Sequence, residues 1–174
     1  RTLKSKEMKK LNFLKGIVDF VWIMAMITIP MILFLVGCVF FGNEPFDVPI
    51  KINGVELLAI DLQSKIILMC FMISHLLILY ALFLFKKLLR LFQLKAIYDL
   101  KVVYLLNKIG IIVVCAAILA GVSGFIYNLL NRTSSLNFEL NSNVLLFSLG
   151  LFFMILSEVF KIAKHLKEEN DLTF

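Results

Sequence analysis

An all-α membrane protein is predicted: a bundle of four transmembrane helices with a short extracytoplasmic β-hairpin between helices 1 and 2. Three observations predict it. The 174 residues are 61% hydrophobic and only 17% charged, with a mean hydropathy of +0.96, against about 45–50% and about 25% in soluble domains. Four stretches, Phe20–Asn43, Ile66–Phe85, Ile109–Asn131 and Leu140–Ser157, contain no Asp, Glu, Lys or Arg, and each is at least 18 residues long. A helix rises about 1.5 Å per residue, so about 20 apolar residues cross a hydrocarbon core of about 30 Å. The third observation is the lopsided placement of the cations around these stretches.

The runs are continuous and rich in Leu, Ile and Phe rather than alternating, which argues for helices and against a barrel. With cytoplasmic extensions the spans are expected at about 17–42, 63–94, 99–131 and 143–168, all in a single integral membrane domain covering 1–174. The first run is too long for a cleaved signal peptide and lacks a small-x-small cleavage site. Arg1–Glu7 precedes the first methionine, Met8, and is assigned no structural role.

Fifteen of the 18 Lys and Arg lie in the N-terminal flank, the middle connection and the C-terminal tail. Lys51, Lys65 and Arg132 are the remainder. The positive-inside rule therefore predicts a multi-pass protein of the cell membrane with both termini and the middle connection in the cytoplasm. The same cations predict contact with the bilayer's anionic head groups on that side. No recognition helix or basic sheet interleaved with aromatics is visible, so direct nucleic-acid binding is not expected.

Between the first two runs, Phe46–Ile52 and Val55–Ala59 flank Asn53-Gly54, a type I′ turn signal, so a hairpin is expected over 45–61. Pro49 suits an edge strand. From Lys86 to Lys108, cations alternate with apolar residues and no Gly or Pro intervenes. Helices 2 and 3 are therefore expected to run out of the membrane, turning around Ala96–Tyr98 with Asp99 as the N-cap of helix 3.

His75 sits near the middle of the second span, where a polar side chain is costly and turns towards protein or a cavity. Ser148, Ser74, Thr28 or a backbone carbonyl would satisfy it as a neutral structural histidine. Asp19 and Glu158 fall near the inner ends of spans 1 and 4, within reach of Lys15, Lys86, Lys87 or Lys108. Ion pairs closing the bundle are expected ahead of ion coupling. Cys38, Cys70 and Cys115 lie singly in apolar runs and read as buried thiols.

Ala117 with Gly121 and Ala120 with Gly124 form two small-x-x-x-small pairs on helix 3, a contact stripe within the chain or in a homo-oligomer. No nucleophile elbow, His-Glu-x-x-His, phosphate loop or redox Cys pair is present, so no enzymatic activity, catalytic residue, metal or cofactor is expected.

The order of these features, with Leu105-Leu-Asn-Lys-Ile-Gly110 and the closing Glu158-Val-Phe-Lys-Ile-Ala-Lys-His-Leu-Lys-Glu-Glu-Asn-Asp-Leu-Thr173, resembles the bacterial domain-of-unknown-function 2975 family. In place of that family's usual glycine before an apolar-x-Phe step stands Lys95-Ala96-Ile97-Tyr98. The family carries no established activity. Its members are often encoded beside a small Cro/C1-type helix-turn-helix regulator, so the resemblance implies a membrane partner of such a regulator. The expected docking face comprises Arg90, Lys95, Asp99, Lys101, Lys164, Lys167, Glu168 and Glu169. The alternative is a small-solute or ion transporter or channel subunit using His75 and the inner-end carboxylates.

Overall fold

The computed structural model describes residues 2–41, 50–52, 55–57, 62–94, 97–130 and 142–171. Four helices make the fold: α1 (Thr2–Phe41), α2 (Leu62–Gln93), α3 (Leu100–Leu130) and α4 (Ser142–Asp171). All four contain windows long and apolar enough to cross a membrane. At about 1.5 Å per residue they measure about 45–60 Å, well beyond the hydrocarbon thickness. The charge-free runs begin or end near the same bundle level. The surplus of α1, α2, α3 and α4 therefore projects at one end, where the cations lie.

Thr2–Asn12 is helical although it precedes the first charge-free run. Its Lys, Leu, Met and Glu are good helix formers, with no Gly or Pro to interrupt them. Pro30 lies inside α1 and has no N–H to give to the carbonyl four residues back. Asp99 caps α3 as expected: its carboxylate accepts the Lys101 N–H at 3.0 Å, and its carbonyl accepts the Val102 N–H at 2.9 Å. That is the N-cap pattern, in which a side chain satisfies an amide lacking an intrahelical partner.

The fold class needs one correction. It is an all-α four-helix bundle, and the short β-hairpin expected over 45–61 adds no β component to it. What the described residues hold between α1 and α2 is limited to two three-residue strands, β1 (Ile50–Ile52) and β2 (Val55–Leu57). They pair antiparallel as Ile50↔Leu57, Lys51↔Glu56 and Ile52↔Val55. A two-stranded ladder of this length has no independent stability. The turn signal at Asn53-Gly54, and Pro49, lie outside the described residues.

Helix α3 is the hub, packed between α2 and α4, while α1 leans on α2. Its buried positions Val102, Leu106, Ile109, Val113, Ala116, Ala120 and Ser123 alternate steps of four and three. This is the seam of a left-handed bundle. At the charged end these side chains meet Ala81, Leu84 and Leu88 of α2, with Phe153, Leu156 and Phe160 of α4 packed against the cluster. Phe92 stacks on Phe160 at 6.0 Å, and Phe85 meets Phe153 edge-on at 5.8 Å.

Among the described glycines, Gly110 and Gly150 make the tightest contact. A Cβ on Gly110 would stand 2.5 Å from Met154 Cγ and 2.7 Å from the Gly150 carbonyl oxygen. One on Gly150 would stand 2.9 Å from the Gly110 oxygen. Backbones touch here because neither residue has a side chain. Two serines add bonds to α3: Ser74 Oγ donates to the Ala116 carbonyl at 2.9 Å, and Ser157 Oγ donates to the Val103 carbonyl at 2.8 Å.

Helices α1 and α4 bury little, and their outer faces are Phe, Ile, Leu and Met, such as Phe34, Met31, Phe152 and Ile155. A helix apolar on all sides belongs in lipid, and these faces are the protein's contact with the bilayer. Cys115 is also exposed, on the outer face of α3, with Cys38 and Cys70 half-buried. The three thiols are therefore not the uniformly buried set expected, since Cys115 points away from the α3 seam.

The glycine contact yields a direct test. Gly110→Ala should lower stability by about 1–3 kcal/mol, the cost of overpacking against backbone that cannot yield. Gly37→Ala, where a Cβ meets nothing within 4 Å, should leave the unfolding midpoint of the detergent-solubilised protein within error.

Candidate functional site

His75 is half-buried on α2 and faces α1. Its Nε2 lies 3.0 Å from Thr28 Oγ1, which itself lies 2.7 Å from the Ala25 carbonyl oxygen. The threonine hydroxyl has one proton, and the carbonyl can only accept. Thr28 therefore donates to Ala25 and accepts from His75 Nε2–H. This relay fixes the neutral tautomer and leaves Nδ1 as an acceptor. Of the partners weighed from sequence, Thr28 is the one used. Ser74 bonds across to α3, and Ser148 donates to its own helix at Val144.

Around His75 the four helices enclose a half-open cavity of about 270 Å³. Its walls are mostly apolar, among them Leu35, Phe71, Ile78 and Leu146, with Ala120 contributed by α3. Among the described residues, Ser74, His75 and Asn143 are the polar ones lining it. Asn143 Oδ1 is buried without a hydrogen-bond partner, while its Nδ2 lies towards Gly121. Sequence reasoning did not single out Asn143. A signal existed: it lies on the stripe Asn143, Leu146, Gly150, Phe153, Ser157, whose steps of three and four mark the inner face of α4.

The three intramembrane candidates are not brought together. Asp19 pairs with Lys86 at 2.8 Å, tying α1 to α2, and both side chains are about one-third exposed. Gln93 Nε2 adds a bond to Asn12 Oδ1 at 2.9 Å between the same helices. Glu158 reaches neither Lys86 nor Lys108; its partner is Lys161, one turn on, at 3.6 Å on an exposed face. Asp19 and His75 sit about 13–16 Å apart along the helix axes, judged by the residues separating each from the other's partner. Between the cavity and the charged end lies the apolar cluster of Leu84, Leu88, Val102, Leu106 and Ile109.

At the charged end Arg90 and Lys101 are exposed, and so are Glu168 and Glu169. Lys164 pairs with Glu168 at 3.2 Å, and Lys167 stands 4.8 Å from the Tyr98 ring centre, a cation–π contact tying α4 to the connection. Lys95 lies outside the described residues. Lys108 sits between the rings of Tyr80 and Tyr104, at 5.6 Å from each. Of the small-residue stripe, Ala117, Ala120 and Gly124 are buried, and Gly121 faces Asn143. The stripe packs inside the chain, but backbone contact falls instead at Gly110, where the facing residue also lacks a side chain. Among the described residues, no cluster of three or more His, Cys, Asp or Glu could hold a metal ion.

These features define a multi-pass membrane protein: a four-helix bundle with an intramembrane cavity at one end and a charged helical platform at the other. The chain belongs to the DUF2975 family, described as a protein of unknown function, whose profile matches residues 24–174. No curated protein and no solved structure matches the chain.

The His75 relay can be measured. Thr28→Val leaves an imidazole N–H unpaired and should destabilise the bundle by about 1–2 kcal/mol. In the Thr28→Val/His75→Phe double variant the two losses should fall short of additive by about 0.5–1.5 kcal/mol, read from unfolding in a mild detergent.

Proposed function

We propose that the protein is a non-enzymatic membrane partner that binds a small helix-turn-helix regulator at its charged end, which faces the cytoplasm. One observation carries this reading. The helices continue beyond their charge-free runs as a packed platform. Phe92 stacks on Phe160, Gln93 bonds to Asn12, and Lys167 covers Tyr98. A pre-ordered surface avoids much of the entropy lost when a mobile segment is fixed on binding. Arg90 and Lys101 stand exposed on it, beside mixed charge from Lys164, Glu168 and Glu169. Such a pattern suits electrostatic steering of a soluble protein that carries acidic patches outside its DNA-binding face.

A transporter would place His75, Asp19 and Glu158 along one pathway. Their separate pairings with Thr28, Lys86 and Lys161 give that reading no support. In the regulator reading, the bundle holds the partner at the membrane, and any switch requires bundle states with different affinity for it.

The test is purification of the tagged full-length protein from its native membrane, with mass identification of what is retained. A helix-turn-helix regulator is expected to co-purify, to persist with His75→Ala, and to fall at least about tenfold with Arg90→Glu/Lys101→Glu, as loss of complementary charge implies. Retention unchanged in the charge-reversed variant, or no such regulator in the wild-type eluate, counts against the proposal.

A further inference from the structure

The cavity at His75 has a chemical polarity of its own. Three hydroxyl or imidazole donors in or beside it are already spent: Ser74 Oγ–H on the Ala116 carbonyl, Thr28 Oγ1–H on the Ala25 carbonyl, and His75 Nε2–H on Thr28. What these groups can still offer is lone pairs, on Ser74 Oγ and His75 Nδ1. Asn143 lines the cavity with an amide, whose Nδ2 carries two N–H donors and whose Oδ1 is buried and unpartnered. A buried acceptor without a donor costs about 1–3 kcal/mol. His75 Nδ1 is completed by a molecule that brings a donor.

The remaining walls say what else that molecule is. They are aliphatic and aromatic, and among the described residues no charged side chain lines the cavity. An ion would therefore enter without compensation. A cavity of about 150 Å³ lined by such residues holds benzene, so about 270 Å³ accommodates one ring with a short alkyl substituent. We propose that this cavity binds a small, uncharged, largely apolar molecule carrying a hydroxyl, of the alkylphenol class, with its hydroxyl proton directed to His75 Nδ1 and its oxygen open to an N–H of Asn143. A ketone or ether of the same size would leave His75 Nδ1 without a donor and be disfavoured. The site stands apart from the docking reading, because the apolar cluster around Leu84, Leu88 and Leu106 separates it from the platform.

The probe is 4-propylphenol, with propylbenzene as its match lacking the hydroxyl. Binding is measured by isothermal titration on the full chain in nanodiscs, with protein-free nanodiscs subtracted to remove partitioning into lipid. Saturable one-site binding of the phenol is expected, with propylbenzene weaker by about tenfold or more, as one unpaired buried acceptor implies. His75→Phe and Asn143→Leu should each bring the two probes to within about threefold of one another, as loss of one polar partner of the hydroxyl implies. Ala120→Leu fills the cavity from α3 and should abolish binding; Ile78→Phe fills it from α2 and serves if the first variant does not fold. Three results would overturn the proposal. One is no saturable binding above protein-free nanodiscs, as when water or lipid chains occupy the space. Another is equal affinity for the two probes, and the third is phenol binding that survives both cavity-filling variants.

Discussion

Gly110 and Gly150 bring the α3 and α4 backbones into contact, and the rest of the bundle follows from that approach. In lipid there is no hydrophobic drive between helices, so association depends on van der Waals contact and on polar bonds between them. Side chains on either glycine would hold the helices apart. Without them, Val114 and Met154 close over the crossing, and the seam from Val102 to Ala120 packs on both neighbours. Ser74 and Ser157 then reach α3 carbonyls from opposite sides. These carbonyls are already bonded within the helix, and their second lone pair accepts the serine.

Tight packing around α3 sorts the molecule into two ends. Towards the platform, Leu84, Leu88, Val102, Leu106 and Ile109 fill the centre of the bundle. Towards the other end the helices enclose space instead, because α1 leans mainly on α2 and brings few buried side chains. The polar groups divide in the same way. His75, Ser74 and Asn143 belong to the cavity, whereas Asp19, Lys86, Lys164, Lys167 and Glu168 belong to the platform. An ion pair such as Asp19–Lys86 is a modest contributor where both partners are partly exposed; its role is to register α1 against α2.

Much of the fold was legible because the hydrocarbon imposes it. Four charge-free runs of sufficient length leave little choice of architecture, and Asp99 announced the start of α3 through a cap that depends only on local sequence. Thr28 was among the partners weighed for His75, since few polar groups occur at that depth. Other features depend on two distant residues meeting. Gly110 and Gly150 are unremarkable singly, and the Ala117/Gly121 and Ala120/Gly124 stripe carried the stronger local motif. Glu158 looked poised for a lysine on another helix, but its face of α4 turns outward and leaves Lys161 as its partner. Asn53-Gly54 is a strong local turn signal, yet the pairing beside it extends over three residue pairs and adds no β component to the fold. Asn143 stood at a helix start where polar residues are ordinary; only the neighbouring helices make its oxygen an unpaired acceptor.

A solid apolar core divides cavity from platform. Single cysteines at Ala81, Leu84 and Leu88, introduced after Cys38, Cys70 and Cys115 are replaced by serine, test it through alkylation by a maleimide, which needs a water-exposed thiolate. With the protein in nanodiscs, a cysteine at exposed Arg90 should be modified fully while the three core positions stay unreacted. Modification at Ala81, Leu84 and Leu88 at rates comparable with Arg90 would reveal a water-filled route through the bundle and contradict the account.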